Sequence, residues 1–238
     1  MEKLEADIVI VGTGASGLFA ALHVPSDKKV IMLTKSDAEN SDSFLAQGGI
    51  CVLRDKNDFD SFMEDTMKAG HYENRKESVE IMINSSRDII NELIGYGVDF
   101  ATKDGKLDYT REGAHSKPRI LFHEDITGKE ITSTLLDEVR KLENVTIMEY
   151  VTMTDIIEKD NVCYGVLAKD ANNNEMCIEA GYTIFACGGI GGLYAHSTNY
   201  PHLTGDAIAI AIQHGIKLEN VDYVQIQALW KRQKTFCE

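Results

Sequence analysis

No apolar run in this 238-residue chain approaches the ~20 residues of a membrane span, and its first residues lack the basic and apolar regions of a signal peptide. These absences predict a soluble protein. Positive charge is in deficit: 24 Lys and Arg stand against 38 Asp and Glu, for a net charge of −14. That balance argues against nucleic acid and anionic membrane as partners, since either would be repelled. Disulfide and zinc patterns are missing too. The five cysteines, Cys51, Cys163, Cys177, Cys187 and Cys237, are an odd number without a C-x-x-C pair. They read as free, mostly buried thiols of a reducing cytoplasm. The seven histidines show no ligand-like pairing with cysteine, so no structural metal is expected. Repeats and low-complexity segments are absent. What remains is ordinary globular composition, 26% charged and 43% hydrophobic, with length enough for one large domain or two small ones.

Against that background residues 7–17 stand out as D-I-V-I-V-G-T-G-A-S-G. A short apolar strand runs into glycines spaced G-x-G-x-x-G, with Thr13, Ala15 and Ser16 between them. Gly12 takes the tight turn, Gly14 clears the approach to a pyrophosphate, and Gly17 lets the next helix pack closely on the strand. That helix, expected over 16–24, turns free N–H groups and its positive dipole end toward the phosphates. A second strand is expected over 30–34. The pattern predicts dinucleotide binding. The second strand of such a unit normally ends in Asp or Glu to hold a ribose hydroxyl. Here Lys35 follows Thr34, and Asp37 and Glu39 arrive only afterwards. Lys35 reads either as a ribose or phosphate contact or as a solvated loop charge.

Strand and helix periods alternate along the rest of the chain, an α/β order. Residues 41–50 read as neither strand nor helix. Helical spacing covers 59–69 and 78–94, the second stopped by Gly95-Tyr96-Gly97. Residues 103–117 make a long polar excursion of the kind that is functional or disordered. Thr127, with Glu130 three residues on, predicts a capped helix to about residue 141. Strands are expected over 145–150, 154–158, 162–169 and 175–180, with Asn172-Asn173-Asn174 as the turn before the last. A buried strand over 182–186 precedes a glycine-rich stretch, and a short helix over 206–214 closes at Gly215.

Three segments carry more than fold class. Residues 41–50 read S-D-S-F-L-A-Q-G-G-I. Residues 110–116 read T-R-E-G-A-H-S, followed by Arg119-Ile120-Leu121 and by D-I-T-G-K-E at 125–130. Residues 186–194 read A-C-G-G-I-G-G-L-Y, continuing to Ser197-Thr198-Asn199 and Thr204-Gly205-Asp206. Together they closely resemble the L-aspartate oxidases, a family of the succinate dehydrogenase and fumarate reductase flavoprotein group. The resemblance runs from Asp7 to about Ile226, and its second segment is the most specific.

The resemblance implies a Rossmann-like FAD-binding fold of the glutathione reductase and succinate dehydrogenase flavoprotein type. It implies FAD as cofactor, with Asp42, Ser43, Phe44, Leu45, Ala46, Gln47, Gly48 and Gly49 passing the flavin ring. In the covalent branch of the group a histidine of this loop is bonded to FAD. Asp42 stands at that position and cannot form the linkage, so FAD is expected to be non-covalent; a plain turn aspartate is the other reading. Cys187 stands where Thr is common, so one hydroxyl contact is lost. Asp206 is similar to a cofactor-contacting aspartate, and its place opening a helix also suits an N-cap. Met153 aligns with a position whose backbone meets adenine; its side chain also suits core filling.

Glu112 resembles the glutamate that helps hold substrate, an acidic group suited to an α-amino group that succinate lacks. The other reading is a surface glutamate beside Arg111. His115 stays undecided between substrate, flavin and loop. The implied reaction is oxidation of L-aspartate to iminoaspartate, with hydride passing from Cα to flavin N5 and electrons going on to oxygen or fumarate. It belongs to cytoplasmic de novo NAD biosynthesis, with a functional link to quinolinate synthase. Arginines clamping the two carboxylates are expected. The family pattern breaks after Ile226, where His-Pro-Thr is replaced by a divergent tail over 227–238. Residues 1–226 are therefore expected to form the first segment of an FAD-binding domain, truncated before its capping and C-terminal helical domains. A fumarate reductase-like flavoprotein and a catalytically incompetent FAD-binding fragment or pseudoenzyme are the alternatives.

Overall fold

The computed structural model describes residues 1–225, so the divergent tail over 227–238 lies outside the described residues. In chain order the elements are β1 (Glu2–Val11), α1 (Ala15–Leu22), β2 (Val30–Leu33), α2 (Asp42–Leu45), β3 (Ile50–Cys51), α3 (Phe59–Ala69) and α4 (Lys76–Tyr96). Then come β4 (Thr102–Lys103), β5 (Lys106–Leu107), β6 (Ile120–Leu121), α5 (Thr127–Val139), β7 (Val145–Met148), β8 (Thr152–Lys159), β9 (Val162–Lys169), β10 (Glu175–Phe185) and α6 (Asp206–Gln213). The main sheet has six strands in the order β7-β2-β1-β10-β9-β8. Its first four are mutually parallel, while β10, β9 and β8 pair antiparallel.

Alternation along the central strands places the two cores. Ile10, Val30 and Met32 face α1, α4 and α5, packing on Leu18, Ala21, Leu93, Leu135 and Leu136. Val9, Val11, Ile31 and Leu33 face the other side, with Met153, Val166, Ile178 and Ile210 of α6. Burial on both faces explains why these strands read as continuous apolar runs. A third cluster, Leu53, Phe62, Val79 and Ile83, joins α3 to α4. No described helix is long and apolar enough to cross a membrane.

Several expectations need correction. Residues 175–180 and 182–186 are one strand, β10, which crosses Gly181 without a break. Its first half pairs with β9 on one side and β1 on the other, while its second half continues along β1. Pairing with β1 through both halves outweighs the weak strand preference of one glycine. The 41–50 segment contains a helical turn, α2, with Ser41 accepting from Phe44 N, and ends in β3. The 103–117 excursion begins in the β4–β5 hairpin, and Thr110 bridges to Ile120. Thr127 is not an N-cap. That place falls to Ile126, and Glu130 accepts instead from Asp99 N at 2.9 Å. Asp206 likewise lies inside α6, whose N-cap is Gly205.

Candidate functional site

The carboxyl ends of β1 and β2 open onto a cleft, as parallel sheets of this kind arrange. At Gly12 the chain turns with φ +116°, and a Cβ there would meet the Ala186 carbonyl at 2.2 Å, so no other residue fits. Gly17 packs on the Gly12 carbonyl just behind. Gly14, the N-cap of α1, has no side chain to cap the helix, and with Ala15 N donating to Ser43 Oγ the other N–H groups of the first turn are left to a ligand.

Of the residues expected at the cofactor, Gly12, Thr13, Gly14, Ser16, Lys35, Asp42, Ser43, Met153 and Asp206 line this cleft together. A second, more polar hollow is lined by Leu45, Ala46, Gln47, Gly48 and Glu112, and Asp42 lines both. Four expected residues line neither. Ala15 N donates to Ser43 Oγ at 3.1 Å, Gly17 serves packing, Phe44 lies beneath the Lys129 ammonium, and Gly49 packs on Ile120 and Leu121.

Lys35 is not a solvated loop charge. Its ammonium donates to Asp206 Oδ2 and to Thr204 Oγ1, both at 2.7 Å, and Thr204 donates on to Asp206 Oδ1 at 2.7 Å. The end of β2 is thereby tied to the start of α6. Asp42 does more than turn the chain: it accepts from the backbone N of Tyr200 at 2.9 Å and from the Asn199 amide, fastening α2 to the 197–200 loop. Met153 is buried in the second core, so its side chain fills space while its strand borders the cleft. Burial, reinforced by the Asp206 charge, pushes the Cys187 thiol up to about 11. Cys187 is therefore a neutral thiol near pH 7 and no nucleophile.

The start of α5 holds the 46–48 loop. Gly128 N donates to the Ala46 carbonyl at 2.8 Å and Thr127 Oγ1 to the Gly48 carbonyl at 2.8 Å. A Cβ on Gly128 would meet the Ser43 carbonyl at 2.1 Å. This use of the Thr127 hydroxyl is why it caps nothing. Glu112, exposed on its own loop, turns Oε1 to the same strip of chain, where a Cβ on Gly48 would lie 3.4 Å away. His115 touches neither cleft; its ring meets Cys51 and Arg119.

Sequence reasoning missed Phe122, Glu124 and Asn199 in the second hollow and Leu203 in the first. It gave no role to Arg119 beyond family resemblance, and no local signal marked it, because arginine is ordinarily exposed and its burial here depends on the distant partners Asp58 and Asp65. Among the described residues no group of three or more His, Cys, Asp or Glu is placed to hold a metal. A helix start whose N-cap residue offers no side chain, beside two crowded glycines and with a cation and a carboxylate at the strand end opposite, fits a dinucleotide.

Residues 7–229 match the model of the FAD binding domain family. The chain is 43% identical over 224 residues to an L-aspartate oxidase of Clostridium perfringens and 45% identical over 224 residues to one of Clostridium acetobutylicum. Each match covers 94% of this chain and 51% of the relative, so the chain spans about half the length of these curated relatives. Among solved structures it is similar to a variant of Escherichia coli quinol fumarate reductase FrdA, with TM-score 0.85 and 25% identity over 90% of this chain and 38% of that one. Mycobacterium smegmatis Sdh1 is similar too, with TM-score 0.82 and 28% identity over 90% and 39%.

Proposed function

The chain belongs to the FAD binding domain family and takes FAD as its cofactor, and on that premise we propose that it serves the oxidation of L-aspartate to iminoaspartate. FAD supplies the two-electron acceptor. The chain's own residues bind and orient. The glycine turn and the start of α1 receive the pyrophosphate, Lys35 and Asp206 border the sugar-phosphate path, and the 42–49 loop runs beside the ring. No bond joins Asp42 to the cofactor, since a carboxylate committed to Asn199 and Tyr200 has no nitrogen to offer.

One observation carries the choice of substrate: the Glu112 carboxylate lies beside Gly48 on the wall of the polar hollow. A negative group there suits the ammonium of an amino acid and has nothing to pair with in succinate or fumarate. No Lys or Arg lines this hollow among the described residues. The reading therefore requires the carboxylate-clamping arginines to come from elsewhere in the protein. Electrons pass to oxygen or fumarate, and the product enters cytoplasmic de novo NAD biosynthesis, where a quinolinate synthase consumes it. A fumarate reductase-like activity is the alternative, favoured by the likeness to FrdA.

Glu112→Gln separates the two. It should lower kcat/KM for L-aspartate by about ten- to a hundred-fold, the worth of a charge-assisted hydrogen bond, and spare fumarate reduction. Equal losses for both would show that Glu112 shapes its loop and does not read the amine.

A further inference from the structure

The Glu112 loop is mostly exposed and has no regular structure of its own, yet it is hung from a buried charge. Arg119 has 0% exposure. Its Nε and Nη2 donate to the two oxygens of Asp58 at 3.1 and 2.9 Å, and Nη1 donates to Asp65 Oδ2 at 2.5 Å. Asp58 and Asp65 both belong to the α3 region, so the guanidinium is fixed to a helix that lines neither cleft. The remaining direction of Nη1 is taken by His115 Nδ1 at 3.1 Å.

Arginine can only donate, so His115 Nδ1 must be the acceptor and the ring proton sits on Nε2. Nε2 in turn points at Cys51 Sγ, 3.2 Å away. Next along the chain, Ser116 is held to the same platform, its N and Oγ both 2.7 Å from Asp65 Oδ2. His115 N closes the turn by donating to the Glu112 carbonyl at 3.0 Å. The loop thus has three side-chain anchors: His115 and Ser116 end on the Arg119–Asp65 pair, and the Lys117 ammonium reaches Asp58 Oδ1 at 3.3 Å.

We infer that Arg119 is a positioning residue, which through a single tautomer of His115 seats Glu112 against the 46–48 loop. The role assigned to Glu112 rests on the aspartate reading above, whereas the positioning itself does not. Burial and the Arg119 charge both hold His115 below the usual imidazole range, consistent with a neutral ring. A protonated ring would lose its acceptor and face the guanidinium as a like charge.

Two measurements on this protein test the inference. Ring nitrogen NMR, with His115→Gln to assign the signal, should show Nδ1 unprotonated and Nε2 protonated near neutral pH. Amide hydrogen exchange should then compare His115→Leu, which removes the acceptor, with His115→Gln, whose amide oxygen restores one. His115→Leu should speed exchange over residues 112–116 by about ten-fold, as losing a hydrogen bond to a charged group implies, with β1 and β10 unchanged. His115→Gln should recover most of that protection. An Nδ1–H tautomer, or equal exchange in the wild type and His115→Leu, would overturn the inference. A rise spread over α3 and the sheet would do so as well. In flavin-loaded protein the same loss should raise KM for aspartate more than it lowers kcat. Localised exchange without aspartate turnover, in flavin-loaded protein that also carries the carboxylate-clamping arginines, would leave the positioning intact and remove the substrate reading.

Discussion

Lys35 at the end of β2 and Asp206 at the start of α6 meet in the cofactor cleft, Nζ to Oδ2 at 2.7 Å, across 171 residues of chain. A dinucleotide fold usually carries an acidic group at the end of its second strand, and here the carboxylate nearest that end comes from a distant helix and pairs with Lys35. A lysine takes the strand end. The pair is only about one-quarter exposed on either side, 27% each, so it is partly shielded from water. Lys35→Ala leaves the Asp206 carboxylate uncompensated in the cleft proposed for the phosphates, and FAD affinity should fall about ten- to a hundred-fold. Asp206→Asn should cost less, and the double variant should lose less than the sum. Flavin fluorescence titration reads all three, and unchanged affinity in Lys35→Ala would remove the lysine from the site.

The glycine turn makes a sharper contrast. Gly12→Ala would place a methyl group 2.2 Å from a backbone oxygen at φ +116°, and neither can shift without moving β10. A stability loss of roughly 3 kcal/mol or more is expected, with loss of flavin. At Gly181, inside β10, the nearest atom to an added Cβ is 3.5 Å away. Gly181→Ala should therefore stay within about 1 kcal/mol of the wild type. Urea midpoints decide both.

Acid should loosen the platform behind Glu112. Burial pushes the Asp58 carboxyl up, but hydrogen bonds from Arg119, Ser61 and Lys117 outweigh it and bring the carboxyl to about 2. A carboxylate lowered in the folded state contributes stability above its unfolded value near ~4 and loses it as pH falls toward ~2. The contribution is roughly 2 kcal/mol. Asp65, also lowered against its burial by Ser116 and Arg119, titrates in the same direction. Asp58→Asn should be less stable at neutral pH, because Arg119 loses a partner, and its stability should fall less steeply in acid. An unchanged acid slope in that variant would show that Asp58 does not carry the effect.

The parts of this molecule that were legible in the sequence are those set by neighbours in the chain. The turn at Gly12 and the apolar strands around it follow from local sterics and from burial on both faces. The bounds of α3 and β9 follow from periodicity. Three features were hidden because distant partners decide them. Gly181 looked like a strand break until β1 was placed beside it. Thr127 looked like a cap, but its hydroxyl is used on Gly48, 79 residues away. Arg119 was noted only as part of a family segment, and only folding brings Asp58 and Asp65 around it. Family resemblance pointed to Glu112 and the 42–49 loop; it did not show what holds them near each other.

The central claim, that this FAD site is built to oxidise an amino acid, is tested most directly by adding substrate without oxygen. L-aspartate added anaerobically to flavin-loaded protein that carries the carboxylate-clamping arginines should bleach the oxidised flavin absorbance, and succinate at the same concentration should leave it intact. Bleaching by succinate in place of aspartate, or by neither, would contradict the account.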